Sequence, residues 1–151
     1  MHQHKIISDV VQRQDVCVLP PDATVFEGAR QMAGKNIAAL IIVDDVESKK
    51  MIGIVTERDM TQKVLAKGVD PKQATLGEIM TKNPDTVAPD DSAADALELM
   101  QTRKYRHLPV AEQGRCVAVV SVRDLFSVVK ADLEKEVRET EAFVFGDRYG
   151  A

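Results

Sequence analysis

At 151 residues the chain has room for one ordinary domain or two very small ones, and its 44% hydrophobic and 29% charged residues are those of a folded soluble protein. A net charge of −4 at pH 7 gives no overall attraction for a nucleic-acid backbone or an anionic membrane. Aromatic residues make up only 4% and Trp is absent, so platforms for stacking single-stranded bases are scarce and the core must be aliphatic.

The N-terminal stretch MHQHKIISDVVQRQ lacks the long apolar segment of a secretory signal, and no apolar run approaches the roughly 20 residues that span a bilayer. His2 and His4 stand two apart there and, with His107, make no closed metal site. An extended run, VCVL (16–19), then meets a Pro-Asp turn. Thr24 is placed as a helix N-cap with Glu27 three residues on, the spacing of a capping box. Val25, Ala29 and Met32 share the apolar face of the helix that follows. AALIIV (38–43) and MIGIV (51–55) read as strands apolar on both faces, as in a sheet covered by helices, joined by the turn DDVESKK. The pairs Asp44-Asp45 and, later, Asp90-Asp91 are turn chemistry rather than paired catalytic acids. The second strand breaks into Thr56, skips two residues and reaches Asp59, which opens the next helix.

From residue 85 the same order returns. Shifted by 68, PDATVFEGARQM (21–32) falls on PDDSAADALELM (89–100), and NIAALIIVD (36–44) on KYRHLPVAE (104–112). A gap of three residues, taken up by the ESKK loop, then superposes GIVTERD (53–59) on AVVSVRD (118–124). The second copy thus has an extended DTVA (85–88), Ser92 as N-cap with Asp95, and a helix with Ala93, Leu97 and Met100 inside. Strands HLPVA (107–111) and CVAVV (116–120) follow, and Ser121 and Asp124 open a last helix. The fold class is α/β (α+β), built from two β-α-β-β-α repeats. The last helix is expected from Arg123 to about Thr140, through the solvated charged face KADLEKEVRETE. Leu133 and Val137, four apart, offer a partner-helix contact as the alternative there. The tail FVFGDRYGA carries three of the six aromatics and is expected to dock on its own core or on a neighbour. Cys17 and Cys116 lie in strand-like runs with no second Cys nearby, and read as free buried thiols of a reducing, cytoplasmic protein.

Thr56-x-x-Asp59 and Ser121-x-x-Asp124 each put a hydroxyl at a helix N-cap, where N–H groups point outward and the dipole favours an anion. A carboxylate beside a phosphate would repel it. A nucleoside's length away, it can instead accept two hydrogen bonds from vicinal ribose hydroxyls. The same spacing is that of a plain helix start, where Asp is favoured by the dipole alone. Its recurrence at equivalent repeat positions, each after an apolar strand, favours a ribose-phosphate site.

These residues resemble a known family. Two β-α-β-β-α copies, ending in Gly-hydrophobic-x-Ser/Thr-x-x-Asp with Ala118 for Gly in the second, are similar to a tandem pair of CBS domains, called a Bateman module. YRHLPV (105–110) resembles the family's most recognisable strand, and EIMTKNPDTVAPDDS (78–92) its usual lead into a second copy. The likeness covers roughly residues 6–130. It implies a disc with pseudo-twofold symmetry and two clefts that bind adenosine nucleotides: AMP, ADP, ATP, or in some members NAD or S-adenosylmethionine. By that resemblance Asp59 and Asp124 hold ribose hydroxyls, and Thr56 and Ser121 lie beside ribose or phosphate. Ile37, Ala38 and Ala39 line the base pocket facing Asp124; Tyr105, Arg106 and His107 are their counterparts facing Asp59. Ile54 and Val119 pack on the adenine face, and the backbone of Cys17, Val18, Thr86 and Val87 reads the adenine edge. The Asp59 site, with Gly53, Arg106 and His107, is expected to bind phosphate better than the Asp124 site, which has Ala118 for Gly and Ala38 and Ala39 opposite. Arg58 and Arg123 either assist with phosphate or are plain exposed first-turn residues. His107 is a phosphate contact or a pocket-wall histidine.

The expected organisation is a first repeat with its lead-in at 1–70, a second repeat at 71–130, and a C-terminal extension at 131–151. The implied function is a stand-alone nucleotide sensor, not an enzyme, that needs no cofactor. It is expected to form a homodimer and signal to a regulated protein, with neither nucleic acid nor membrane as partner. The alternative is a structural or interaction protein that keeps the fold without useful nucleotide binding.

Overall fold

The doubled pattern folds as two sheets flanked by helices in a computed structural model that describes residues 4–149, and their side chains as far as Val144. His2 and the side chains of Phe145 and Tyr149, two of the tail's aromatics, lie outside the described residues. In the first repeat β1 (Val18–Leu19) pairs in parallel with β2 (Ala39–Val43), and β2 pairs antiparallel with β3 (Met51–Thr56). Between β1 and β2 runs α1 (Val25–Lys35). From β3 the chain enters α2 (Glu57–Met60), which continues as a wide turn over Thr61–Leu65. A connector, α3 (Leu76–Ile79) then β4 (Thr81–Lys82), leads to the second repeat: α4 (Ala93–Arg103), β5 (His107–Glu112), β6 (Arg115–Ser121) and α5 (Val122–Tyr149).

Local chemistry sets these boundaries. Thr24 Oγ1 accepts the Glu27 N–H at 3.1 Å and Ser92 Oγ accepts the Asp95 N–H at 3.0 Å, so both long helices begin at hydroxyl caps. They end at residues in the left-handed region, Asn36 (φ 52°) and Lys104 (φ 60°). Both β-hairpins carry a register shift at the same place, Ile42/Val43 and Val110/Ala111. The extended runs before the helices are shorter than the sequence implies. VCVL contributes two strand residues, and DTVA only a bridge from Val87 to Val110. Pro84 and Pro89 flank that bridge and supply no N–H to extend it.

The inner faces of α1 and α4 also differ from expectation. Gly28 and Ala96, not Ala29 and Leu97, are the fully buried central positions. A Cβ on Gly28 would lie 2.8 Å from a Leu76 methyl, so only a small residue fits where the connector crosses the helix.

That crossing shows how the repeats share their parts. Leu76 N–H donates to Ala23 O at 2.8 Å and Gly77 N–H to Pro21 O at 2.8 Å, which fastens the connector to the first repeat. At the matching positions Ile6 N–H donates to Asp91 O and Ile7 N–H to Pro89 O, both at 3.0 Å, which fastens the N-terminal lead-in to the second. The edge strands follow the same rule. β4, which precedes the second repeat, pairs with β3 of the first, while Gln14 N–H donates to Val117 O of β6. Each repeat is completed by the segment that leads into the other.

Three apolar clusters result. Val25, Met32, Leu40, Ile42, Val55 and Val64 close over Leu76 and Ile79; Ala96, Met100, Leu108, Val120 and Leu125 close over Ile6. Between them Ala39, Ile41, Val43 and Ile54 meet Val18, Met51, Cys116 and Val119, a seam formed by both sheets. Cys17 is buried and Cys116 half-buried, both as free thiols; burial pushes the Cys116 thiol up to about 11. The 28-residue α5 outruns the expected end near Thr140, and Leu133, Val137, Phe143 and Val144 on it are exposed rather than docked on the core. Among the described residues no helix is long and apolar enough to cross a membrane.

Candidate functional site

Both hydroxyl-x-x-Asp motifs sit at a strand-to-helix corner. β3 delivers Thr56 in extended geometry, and the chain then turns into α2. Asp59 N–H donates to Thr56 Oγ1 at 3.4 Å, and Thr56 N–H returns a bond to Asp59 Oδ2 at 2.9 Å, a reciprocal capping box. In the second repeat Asp124 N–H donates to Ser121 Oγ at 3.1 Å and Ser121 N–H to Asp124 Oδ2 at 2.9 Å. The plain helix-start reading is therefore realised at both corners, and in each carboxylate one oxygen serves the cap. At Asp59 the other oxygen, Oδ1, is 3.0 Å from Lys63 Nζ.

The first corner opens onto a cleft of about 400 Å³ between the repeats. One wall is Ala38, Ile54, Thr56, Glu57, Arg58 and Asp59; the facing wall runs from Arg103 to Pro109, and Thr81, Pro84 and Asp85 of the connector close the side. Of the residues expected at this site, Thr56, Asp59, Ile54, Arg58, Tyr105, Arg106 and His107 do come together. The cleft holds four cations, Arg58, Arg103, Lys104 and Arg106, against three acids, Glu57, Asp59 and Asp85. Its apolar residues (Ala38, Ile54, Leu108 and Pro109) and its four cations suit a ligand with an apolar body and an anionic end.

Two wall side chains are held by their surroundings. Tyr105 Oη donates to Asp85 Oδ2 at 3.1 Å, and Arg103 Nε lies 3.9 Å from the same oxygen. Burial, then the Asp85 hydrogen bond and charge, push the phenol up from its usual value, with Arg103 opposing. His107 stands opposite Ser121 in the β5–β6 register and is half-buried. Burial holds its pKa below the usual 6.5; Glu57 and Asp124 pull it up, and Arg106 pushes it down again. His107 thus lines the Asp59 cleft while feeling the acid of the Asp124 corner.

Other expected residues fall elsewhere. Ala38, assigned to the pocket facing Asp124, lines the Asp59 cleft, because its carbonyl accepts the Glu57 N–H at 3.1 Å and keeps it beside its own repeat's corner. Ala39, opposite Thr56 in register, is buried in the central seam with Val18 and Val119, while Ile37 packs on the first-repeat core. Cys17 and Val87 are core residues, one in each repeat, and Thr86 is exposed. Cys17, Val87 and Thr86 do not line the Asp59 cleft, and Ser121, Asp124 and the exposed Arg123, expected at the other corner, lie outside it. Gly53 also stays out of it: a Cβ there would overlap the Met80 sulfur and approach the Thr81 carbonyl oxygen to 3.0 Å. Its smallness serves the β3–β4 contact, not the phosphate. The sequence reading missed Glu57, Thr81, Asp85, Arg103 and Lys104. The last two were visible as the basic run RKYR (103–106), and Asp85 as the acid just before Thr86. Among the described residues no three or more His, Cys, Asp or Glu converge as a metal site; His4 instead pairs with Asp132 at 2.7 Å.

Comparison with known proteins places this geometry. The family model of the CBS domain matches residues 7–66 and again 76–131. A CBS domain-containing protein of Arabidopsis thaliana is 34% identical over 135 residues, 87% of this chain but 24% of that one. The chain thus spans about a quarter of the length of that relative. Among solved structures, a protein with CBS domains from Burkholderia ambifaria is 35% identical with a TM-score of 0.71, covering 80% of this chain and 85% of that one. A CBS domain protein from Pyrobaculum aerophilum, complexed with AMP, is 28% identical with a TM-score of 0.70, covering 78% of this chain and 87% of that one.

Proposed function

Because the chain belongs to the CBS-domain family, we propose that it is a regulatory module that binds an adenosine nucleotide and passes occupancy to another protein, without catalysing a reaction. The observation that carries this reading is the cleft of about 400 Å³, in which Asp59 and the apolar Ile54 lie within reach of four cationic side chains. The related protein's complex with AMP supports the ligand class. In this reading Asp59 accepts ribose hydroxyls, Ile54 lies against the base, and Arg58, Arg103, Lys104 and Arg106 with His107 meet the phosphates. AMP, ADP, ATP and NAD share the moiety that these groups would recognise. Ser121 and Asp124 form the weaker, second site. Regulation requires the ligand to favour one arrangement of the repeats, or of a homodimer, over another. The cytoplasm is the compartment that fits free thiols at Cys17 and Cys116.

Titration calorimetry and thermal melting with AMP, ATP and NAD test the proposal. A ligand at a hundred times its Kd should stabilise the fold by about 2.7 kcal/mol. Absence of both heat and melting shift at millimolar nucleotide refutes it. One observation favours a second reading, in which the fold serves as an interaction scaffold without a ligand: both oxygens of Asp59 already have partners, Thr56 and Lys63. The same titration separates the two.

A further inference from the structure

Among the described residues Asp59 has an ion-pair partner and Asp124 has none. Lys63 Nζ lies 3.0 Å from Asp59 Oδ1 and donates to the Ile79 carbonyl at 2.8 Å. Asp59 lines the cleft and Lys63 does not. The ammonium therefore sits behind the carboxylate, between it and the end of α3, from which the chain runs directly into the Thr81–Asp85 wall. Lys63 itself lies in the wide turn Thr61–Leu65, where Ala66 N–H reaches back to Thr61 O at 2.9 Å. Such widened turns are frequent at functional sites. Four residues after Asp124 the second repeat has Val128 instead, so this arrangement belongs to one corner only.

We infer, on the footing of the nucleotide reading above, that Lys63 is a positioning residue that sets how many phosphates the Asp59 cleft tolerates. A carboxylate placed to hold a sugar repels the phosphates attached to that sugar, and more strongly with each one added. Lys63 neutralises that carboxylate from outside the cleft, and Oδ1, which it holds, can accept a further hydrogen bond from a hydroxyl. The cations on the cleft wall attract phosphate directly; Lys63 acts through Asp59. It also ties the sugar acceptor to the connector wall through the Ile79 carbonyl.

Titrating the full chain with adenosine, AMP and ATP separates this role from a merely structural one. Lys63→Met is expected to leave adenosine affinity within about twofold, weaken AMP about threefold and ATP about tenfold. Lys63→Arg, which keeps the charge, should restore most of the AMP and ATP affinity. Lys63→Gln keeps a donor for the Ile79 carbonyl and carries the same graded expectation if the methionine variant folds poorly. An equal loss for all three ligands, or no loss for ATP, overturns the inference alone. Failure of the wild type to bind any of the three refutes the proposed function, and the inference falls with it.

Discussion

Replacing Ile6 by Ala should damage the second repeat, although Ile6 precedes the first. Its side chain is fully buried, among Ala96, Met100, Leu108 and Leu125. The change removes three carbons, about 2.4 kcal/mol at about 0.8 kcal/mol for each methylene withdrawn from water. The cavity left in this cluster adds to this, for a total of about 3.5 kcal/mol. With a urea slope of about 2 kcal/mol per molar, the unfolding midpoint should fall by about 1.8 M. Leu76→Ala, at the matching place in the first repeat and equally buried, should cost a similar amount. Leu65→Ala, at a 71% exposed position, should stay within about 0.5 kcal/mol. Hydrogen exchange adds the location: amides of β5 and β6 should lose more protection than those of β2 and β3. A loss below about 1 kcal/mol for Ile6→Ala would show that the lead-in merely lies on the second repeat, and would refute the exchange of segments as a source of stability.

Three further outcomes follow from the site and its surroundings. Asp59→Ala should weaken nucleotide binding at least tenfold, since hydrogen bonds to a charged group contribute about 1.5–3 kcal/mol, and should cost more than Asp124→Ala by calorimetry; equal losses would contradict the asymmetry of the two corners. His107, held below its usual pKa by burial, binds fewer protons folded than unfolded. Its contribution to stability is therefore complete above pH 6.5 and lost as pH falls through the folded value, so urea midpoints should decline more steeply between pH 7 and 5 in the wild type than in His107→Gln; parallel curves would show that His107 does not titrate in this range. Gly53→Ala should cost about 1–3 kcal/mol by forcing Met80 and the Thr81 carbonyl aside; a loss below about 0.5 kcal/mol in urea unfolding would show that β4 gives way easily.

Much of this was legible in the sequence because a repeat is read twice. The hydroxyl caps, the paired strands and the Asp59 corner each recur, and the second copy corroborates the first. What the sequence hid is what depends on which segment crosses which helix. Ala29 and Leu97 have the right periodicity to face inward, yet Gly28 and Ala96 take the central place because Leu76 and Ile6 press there. The resemblance sets Ala38 opposite Asp124, but no pattern in the sequence reveals that its carbonyl is tied to Glu57 and that it lines the Asp59 cleft. The resemblance gives the backbone of Cys17 and Val87 to the adenine edge, whereas in the fold the Cys17 carbonyl accepts the Ile41 N–H, and the Val87 N–H and carbonyl bond to Pro109 and Ala111. Arg103 and Lys104 were missed because the end of a helix looks like solvated surface until a second wall stands opposite it.

The exchanged lead-ins give the chain the topology of a domain-swapped dimer whose two protomers have been joined end to end. Each half owns a sheet and two helices but borrows the plug that closes its core, Ile6 in one direction and Leu76 in the other. A half cut out on its own, such as residues 71–131, would carry a plug with no socket and a socket with no plug. Two such halves would be expected to satisfy one another, rebuilding the pseudo-twofold disc as a true twofold one. The covalent link between the repeats then matters less for their contacts than for their inequality: it lets one corner carry Lys63 and the other Val128, a difference that an assembly of two identical halves could not hold.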